Sequence, residues 1–422
     1  YSENPISIMN IVVYSDPVEY DTDSVTYVLN PSNHTATIFL VKPQYDDVVV
    51  SGTVAYNGAN YTVTSLAEQA LASEEGFNLS VSLPSTITTV ANGAFDNAET
   101  SAIIWNSNTA LPANAFSKVD METWKNMLLY VNKEGIAPSG FANTIVNGVA
   151  QNIELKEGYV FHCPQQFTAR NISFTHTFTM ETVIGKKQGW ETIALPFDVM
   201  SITHATKGQL IPFASYSPSS SNKPFWLYEW TSSGFAKAST MQANVPYLIS
   251  MPNNSAYSSE YNVAGSVTFS ATNAIVKTTK NEDILSYGYN NKYFWANYFY
   301  MPRVSYYANI NSVNELHSNN GGYDPGSIFI KNMRSTFPFE GYMWEDTDNE
   351  SSSEIIEIEF ADDEITGIEP ILIVPNENLP SKGIYTVSGM RINGEEGLSE
   401  EEILKRLPSG VYIVNGKKRV VK

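Results

Sequence analysis

The sequence predicts a mainly β protein made of a capped repeat array, a β-sandwich and a small C-terminal β-domain. Three observations predict it: the composition, a motif that recurs near the N-terminus, and many short apolar segments between turn residues. Of the 422 residues 16% are charged, against about a quarter in a typical soluble domain, while 12% are aromatic. This mixture, with 25 Tyr and many Ser, Thr and Asn, favours strands over helix bundles. At about 150 residues per domain, the length indicates about three folding units.

Charge and cysteine content exclude several classes of protein. The 25 basic and 44 acidic residues give a net charge of −19, which disfavours nucleic acid as a partner because the phosphate backbone is repelled. Cys163 is the single cysteine, so disulfides within the chain and zinc sites built from cysteines are impossible. No apolar run reaches the roughly 18 residues of a membrane span. The chain begins at Tyr1, so we expect that a signal peptide has been removed, and a lipid anchor stays an open alternative.

A motif of the form apolar-x-x-x-(Ala/Gly)-(Phe/Leu) recurs in the first 150 residues. Its copies are spaced about 21 to 25 residues apart and end at Leu71, Phe95, Phe116 and Phe141. A short strand candidate precedes each copy. One such unit cannot bury its apolar edge alone, whereas stacked neighbours bury a continuous one. We therefore predict that these four side chains belong to a single spine.

The repeat phrase resembles a known family. Residues 83–95, LPSTITTVANGAF, are similar to the unit of BspA-like leucine-rich repeats, which are common in surface proteins of Bacteroides-type bacteria. Residues 54–66 resemble the strand pair that opens such arrays, and Asn57-Gly58 is a strong type I′ hairpin signal in its own right. Alternation over residues 24–54 predicts capping strands. Residues 1–150 are therefore interpreted as a short leucine-rich-repeat array with N-terminal capping strands.

Residues 151–365 show little helical periodicity, and the spacing of their β-like runs predicts a β-sandwich. Residues 189–199 and 244–249 resemble strands of a β-domain in the same surface proteins, and residues 337–342 resemble its closing strand. Glu340 stands where that family often has Arg, so no role of the Arg is carried over.

Residues 366–422 predict a small β-domain after a Gly- and Pro-containing linker. Residues 383–392 and 407–422 alternate, Asn415-Gly416 marks a hairpin, and Ser399 with Glu402 predicts a capped amphipathic helix between them. The two segments are similar to C-terminal type IX secretion sorting domains, which implies the extracellular space or the outer-membrane surface of a Gram-negative bacterium. The basic tail from Lys417 is either part of that export signal or a charged edge strand that discourages aggregation.

Clusters of aromatic residues in the middle region are candidates for ligand binding. Tyr and Trp have an apolar body and a polar tip, which suits them to sugar faces and to protein partners. The alternative is that these rings fill the core. Because both faces of a strand are buried only when it is fully covered, we expect some of them near the surface. The candidates are Trp226, Tyr228, Trp230, Tyr293, Trp295 and Tyr298.

Catalytic and metal-binding motifs are not found in the sequence. The five histidines lack ligand spacing, and no P-loop, G-x-G-x-x-G or G-x-S-x-G is present, so no catalytic residue, metal or cofactor is predicted. Cys163 is expected to be a buried, unreactive thiol. The acidic residues 345–350 have oxygen ligands of the kind that calcium uses, although a solvated loop is the favoured interpretation and calcium stays open.

The sequence thus favours a non-enzymatic cell-surface or secreted binding and adhesion protein that recognises a host protein or a glycan, as the resemblance implies. Two alternatives stay open: a structural surface spacer, and a glycoside hydrolase with dispersed carboxylates. The ligand and the oligomeric state are not predicted.

Overall fold

The short apolar runs of the sequence form strands throughout the part of the chain that the computed structural model describes. The described residues are 16–117, 125–183, 186–217, 219–280, 288–299, 307–308, 322–346, 355–361, 384–386, 391–392, 400–408, 410–414 and 417–421. The first strands are β1 (Val18–Asp21), β2 (Val25–Asn30), β3 (Thr35–Val41), β4 (Asp47–Val49), β5 (Thr53–Tyr56), β6 (Ala59–Leu66), β7 (Asn78–Leu83), β8 (Thr89–Val90), β9 (Thr100–Trp105), β10 (Leu128–Val131) and β11 (Thr144–Val146).

The middle region contains most of the other strands. They are β12 (Val149–Leu155), β13 (Phe167–Phe178), β14 (Glu191–Ala194), β15 (Ser201–His204), β16 (Gly208–Pro212), β17 (Lys223–Thr231), β18 (Gly234–Lys237), β19 (Pro246–Ser250), β20 (Gly265–Val276), β21 (Gly288–Tyr289), β22 (Lys292–Ala296), β23 (Tyr307–Ala308), β24 (Ile328–Ile330), β25 (Gly341–Glu345) and β26 (Ile355–Glu357). A 3-10 turn follows β16 at Phe213–Ser215.

The N-terminal cap is a sheet in the order β1-β2-β3-β6-β5, with β8 paired to β6. Strands β5 and β6 form an antiparallel hairpin in which Tyr56 pairs with Ala59. Its two turn residues, Asn57 and Gly58, both have positive φ, at 48° and 78°. This is the type I′ turn that the Asn-Gly pair predicts, because that turn needs φ > 0 at both central positions.

The repeat array is a ladder of parallel strands, β4-β7-β9-β10-β11, with one strand in each turn. The segments that connect these strands also stack on one another through backbone hydrogen bonds. One example runs from Phe95 N to Ala115 O at 2.8 Å. The rings of Phe95 and Phe116 lie 4.7 Å apart, and those of Phe116 and Phe141 lie 4.5 Å apart. Leu71 belongs to the same core cluster, so the predicted single spine is confirmed.

The array and the middle region share one sheet. Strand β11 turns through Asn147 and Gly148 into the antiparallel β12, which pairs in parallel with β13, and β13 pairs with β20. The sheet continues through β15, β16, β17 and β19 to β14, and β18 pairs with β17. The domain boundary expected at residue 150 therefore lies inside β12, and the sheet runs across it.

Two three-stranded sheets, β21-β22-β25 and β23-β24-β26, form a second layer over β17 and β19. The core between the layers is aromatic and contains Trp226 and Tyr228 together with Phe294, Phe329 and Met343. The mainly β fold, with a short capped leucine-rich-repeat array followed by layered β-sheets, is thus the fold class that the sequence predicts.

The C-terminal region forms a sheet in the order β28-β27-β29-β30. Its elements are β27 (Ile384–Thr386), β28 (Arg391–Ile392), α1 (Glu400–Arg406), β29 (Gly410–Val414) and β30 (Lys417–Val421). Apolar residues of the predicted amphipathic helix, Ile403 and Leu404, pack with Ile384, Tyr412 and Val414. Ser399, the Asn415-Gly416 turn and the linker at 366–370 lie outside the described residues. Among the described helices none has the length and hydropathy needed to cross a membrane.

Candidate ligand-binding surface

The exposed face of a repeat sheet is the usual place to look for a binding site, but here that face is buried along β9 and β10. Alternate residues of β9 and β10, such as Ile103 and Leu129, point into the repeat core. Their neighbours Ile104 and Leu128 belong to the core of the middle region. The Tyr130 hydroxyl also donates a hydrogen bond of 2.8 Å to the Gln165 carbonyl. The array therefore supports the middle region and does not present these side chains to a ligand.

The structure corrects the expectation that rings of the 225–230 segment lie near the surface. Trp226, Tyr228 and Trp230 are only 6%, 4% and 5% exposed. They face the aromatic core under the two small sheets, while Phe225 and Leu227 face the other core. Strand β17 is thus covered on both faces. Burial removes these three residues from a ligand-binding surface.

Tyr298 is also buried, contrary to its selection as a surface candidate. Its hydroxyl donates a 2.8 Å hydrogen bond to Oδ1 of Asn244, and its ring lies 6.0 Å from that of Phe161. Burial, with a smaller effect of Cys163, raises the pKa of Tyr298 well above its ordinary value. It is a hydrogen-bonded core residue.

The two remaining candidates, Tyr293 and Trp295, lie on a partly exposed aromatic face. In the antiparallel pairing of β22 with β25, Tyr293 is opposite Trp344 and Trp295 is opposite Tyr342. Residues directly opposite each other point to the same face, so four rings share one face of this small sheet. Trp344 is 45% exposed, and the other three are partly exposed. We call Tyr293, Trp295, Tyr342 and Trp344 the aromatic platform.

Alternation in both strands builds the platform. Phe294 and Met343, each 1% exposed, point inward and anchor the sheet on the aromatic core. Gly288 on the neighbouring β21 makes room for the Tyr293 ring, because a Cβ at Gly288 would lie 2.8 Å from Cε1 of Tyr293. The platform rings are therefore supported by the aromatic core beneath the sheet and by β21 beside Tyr293.

Sequence reasoning missed Tyr342 and Trp344 as binding candidates. The Tyr-x-Trp spacing of residues 342–344 repeats that of residues 293–295, which was the available signal. The pairing that brings the two together joins strands on either side of a long intervening segment. Nothing in the local pattern specifies that partner.

A concavity lies where the array meets β12 and β13. Its volume is about 810 Å³, and polar residues line it, including Asn132, Glu134, Asn152, Glu154 and Arg170. Glu154 also pairs with Lys156. If the hydrolase alternative is correct, its carboxylates are best sought here.

An Asp-His-hydroxyl arrangement occurs inside the molecule. His162 lies 2.8 Å from Oδ1 of Asp47 and 3.2 Å from Oγ1 of Thr279. Both His162 and Thr279 are buried, at 2% and 4% exposure, and Thr279 Oγ1 also accepts the Cys163 N–H. A substrate has no access to this hydroxyl, so we interpret the arrangement as a structural bridge.

Cys163 is buried, as the sequence predicts. Burial raises the pKa of its thiol to about 12, against the lowering effect of hydrogen bonds with Tyr130 and Gln165. A thiol that keeps its proton at neutral pH is a poor nucleophile.

Two further sets of charged side chains, most of them partly buried, are paired. His176 contacts Glu157 through Nδ1 and lies 2.8 Å from Oε2 of Glu191 through Nε2. Burial alone would lower the pKa of His176, but the hydrogen bonds that its ring donates to these two carboxylates raise it to about 10.

The second set of paired charges consists of Glu340 and Arg334. Its carboxylate accepts two hydrogen bonds from the Arg334 guanidinium, at 2.8 and 2.9 Å, and one from the Phe337 N–H. Burial raises the pKa of Glu340, with Arg334 acting in the opposite direction. The partly buried Glu340 carboxylate thus joins Arg334 to the turn before β25.

Within the described ranges, no group of three or more His, Cys, Asp or Glu side chains is placed to hold a metal ion. The acidic residues 347–350, on which the calcium alternative depends, lie outside these ranges.

About a third of this chain is similar to solved structures of leucine-rich-repeat proteins. No family model and no curated protein matches. A leucine-rich-repeat protein from Bacteroides capillosus is 13% identical over 30% of this chain and 91% of that one, with a TM-score of 0.20. A leucine-rich cell surface protein from Faecalibacterium prausnitzii is 16% identical over 33% of this chain and 45% of that one, with a TM-score of 0.21.

A leucine-rich-repeat protein from Bacteroides ovatus is 14% identical over 33% of this chain and 48% of that one, with a TM-score of 0.18. The chain thus spans about half the length of the second and third of these proteins. Likeness at these TM-scores carries no argument about function, and the assignment of the array rests on its parallel ladder and its spine.

Proposed function

We propose that this protein is a non-enzymatic binding and adhesion protein that acts on the cell surface or outside the cell, recognising a host protein or a glycan. The observation that carries the proposal is the aromatic platform. Large rings are costly to leave in water, and more than half of the other aromatic rings in the described part of the chain are buried. Four rings kept together on one accessible face suit a contact with another molecule.

The separate positions of the repeat array and the aromatic platform support the same proposal. The repeat array packs the outer face of β9 and β10 onto the middle region, so it supports that region. The platform lies on paired strands and not on a loop, so binding would cost little conformational entropy.

The extracellular location is part of the proposal. It is supported by the resemblance of residues 83–95 to BspA-like repeats and of residues 383–422 to type IX sorting domains. Expression of the chain behind a signal peptide in a type IX-competent bacterium tests it. Surface labelling by antibody should be lost when residues 366–422 are deleted, and labelling that survives the deletion contradicts the sorting role.

A binding panel tests the function. Purified protein is applied to immobilised glycans and extracellular-matrix proteins, together with Trp344→Ala and the control Phe39→Ala, which removes a ring that is 51% exposed on β3. We expect wild type and Phe39→Ala to bind the same ligand and Trp344→Ala to bind it much more weakly. Equal binding by all three proteins contradicts a role for the platform.

A further inference from the structure

We propose that the ligand of the aromatic platform is a neutral glycan, an inference that rests on the proposed function and narrows its ligand class. Three properties of the platform lead to it: the arrangement of its rings, its size and its charge.

The rings form an open, shallow surface. The centroids of Tyr293 and Trp295 lie 6.5 Å apart with 30° between the ring planes, and those of Tyr293 and Trp344 lie 5.6 Å apart with 44° between the planes. Side chains two apart on one strand lie side by side, so these rings do not enclose a space. The C–H groups on one face of a sugar ring present a flat, slightly positive surface, which complements the negative face of an aromatic ring.

The size of the platform favours a small ligand over a protein. A Tyr or Trp side chain has on the order of 200 Å² of surface. With Trp344 45% exposed and its three neighbours partly buried, the platform offers about 300 Å² at most. A stable protein–protein interface buries about 800 Å² on each partner. One or two sugar rings of a polysaccharide fit the smaller area.

Charge decides between classes of glycan. None of the four platform residues carries a charge, and the chain has a net charge of −19. Polysaccharides rich in carboxylate or sulfate are therefore repelled, while neutral ones are not. The nearest cation on β22, Lys292, belongs to the opposite face of the strand and is paired with Glu359 at 2.8 Å.

A cationic peptide is the main competitor, because the net charge attracts it and aromatic rings bind cations through their faces. Tight cation recognition uses rings on several sides of the charge. The platform rings lie side by side, with 30° and 44° between the planes of the two measured pairs, and this open arrangement suits a flat sugar better.

Affinity electrophoresis tests the inference. The full chain is run in native gels cast with glycogen, laminarin, yeast mannan or xyloglucan as neutral probes, and with polygalacturonate as an anionic probe. Poly-L-lysine is tested separately by intrinsic tryptophan fluorescence. The variants are Trp295→Ala, Trp344→Ala, Gly288→Ala and the control Phe39→Ala. Gly288→Ala keeps every ring but displaces Tyr293.

We expect at least one neutral polysaccharide to retard the wild type and Phe39→Ala equally, with the affinity reduced about tenfold or more in Trp344→Ala and Trp295→Ala. Gly288→Ala should fall between them and the wild type, because it disturbs the platform geometry without removing a ring. Circular dichroism melts of each variant separate a lost ligand contact from a lost fold.

Three results would overturn the inference. Retardation by polygalacturonate alone, or a fluorescence response to poly-L-lysine alone that depends on Trp344, would assign the platform to another class of ligand. No retardation by any neutral probe at its solubility limit would also overturn it. If a matrix protein then binds through Trp344, the proposed function survives, and if nothing binds, both fail.

Discussion

The Nε2 atom of His162 lies 2.8 Å from Oδ1 of Asp47, a residue 115 positions earlier in the chain. Asp47 belongs to β4, the first strand of the parallel array ladder, and His162 follows β12 in the middle region. Asp47 also accepts a 2.7 Å hydrogen bond from Ser80, and Thr279 contacts the other ring nitrogen of His162. One carboxylate thus links the start of the array to the middle region.

We predict that Asp47→Asn destabilises the protein at neutral pH and has less effect in acid. Burial acts to raise the pKa of Asp47, but hydrogen bonds from His162 and Ser80 outweigh it and hold that pKa below its usual value. The stabilisation is therefore present above the unfolded-state pKa of about 3.9 and is lost as the pH falls through the lower folded-state pKa. A hydrogen bond to a charged group contributes about 1.5 to 3 kcal/mol, which is the loss expected at pH 7.

Urea denaturation at pH 7 and at pH 3 measures this difference. Asp23→Asn serves as a control, because Asp23 is exposed and its carboxylate has no hydrogen-bond partner among the described residues, its one hydrogen bond from Gln44 being to the backbone carbonyl. Equal free energies of unfolding for Asp47→Asn and wild type at pH 7 would show that the bridge contributes nothing.

The spine supports a graded prediction. Phe95 is fully buried between the rings of Trp105 and Phe116, whereas Phe141 ends the stack and is partly exposed. Removing a buried Phe side chain costs about 3 to 5 kcal/mol, since the cavity it leaves is not refilled. We expect Phe95→Ala to lower the free energy of unfolding by that amount and Phe141→Ala by roughly half of it. Chemical denaturation of both variants measures it, and a larger loss for Phe141→Ala would contradict the order.

Local sequence was sufficient to predict the features that depend on nearby residues. The Asn57-Gly58 turn is predictable because a type I′ turn needs positive φ at both central positions, and Asn and Gly tolerate positive φ. The spine follows from repetition, since each copy meets the next one along the chain. Alternation also accounts for the two faces of β17, with Trp226, Tyr228 and Trp230 on one and Phe225 and Leu227 on the other.

What alternation cannot predict is whether a face is covered. The rings of Trp226 and Trp230 are buried because Phe294 and Met343 arrive from strands much later in the chain. The same long-range pairing places Trp344 opposite Tyr293 and creates the platform. Burial of this kind depends on contacts between distant segments, which the pattern of a single strand does not specify.

His176 leads to a prediction at alkaline pH. Its folded-state pKa of about 10 exceeds the unfolded value of about 6.5, because Glu157 and Glu191 stabilise the imidazolium against the opposing effect of burial. Its contribution to stability is therefore full below about pH 6.5 and disappears as the pH rises through about 10. We expect His176→Gln to lower the melting temperature clearly at pH 6 and to approach wild type near pH 10.5.

Thermal melts of wild type and variant across this range provide the measurement. His34→Asn is the control, because His34 is exposed and its φ of 54° is one that Asn tolerates. A difference between His176→Gln and wild type that stays constant from pH 6 to pH 10.5 would show that the imidazolium charge is not what stabilises this site.

Trp226 and Trp344 allow stability to be separated from binding. Trp226 is 6% exposed in the aromatic core, 5.3 Å from the ring of Phe213, whereas Trp344 is 45% exposed on the platform. Trp226→Ala should therefore lower the free energy of unfolding by about 3 to 5 kcal/mol. Trp344→Ala should lower it by less, about 1 to 2 kcal/mol, because nearly half of this side chain stays in water in the folded protein.

Binding should follow the opposite order. Under conditions in which Trp226→Ala is still folded, its affinity for the platform ligand should stay near that of wild type, since its ring does not reach the surface. Trp344→Ala should keep its fold and lose affinity. Parallel denaturation and binding measurements on both variants test this, and a Trp226→Ala protein that is stable but does not bind would show that the binding surface lies over β17 instead.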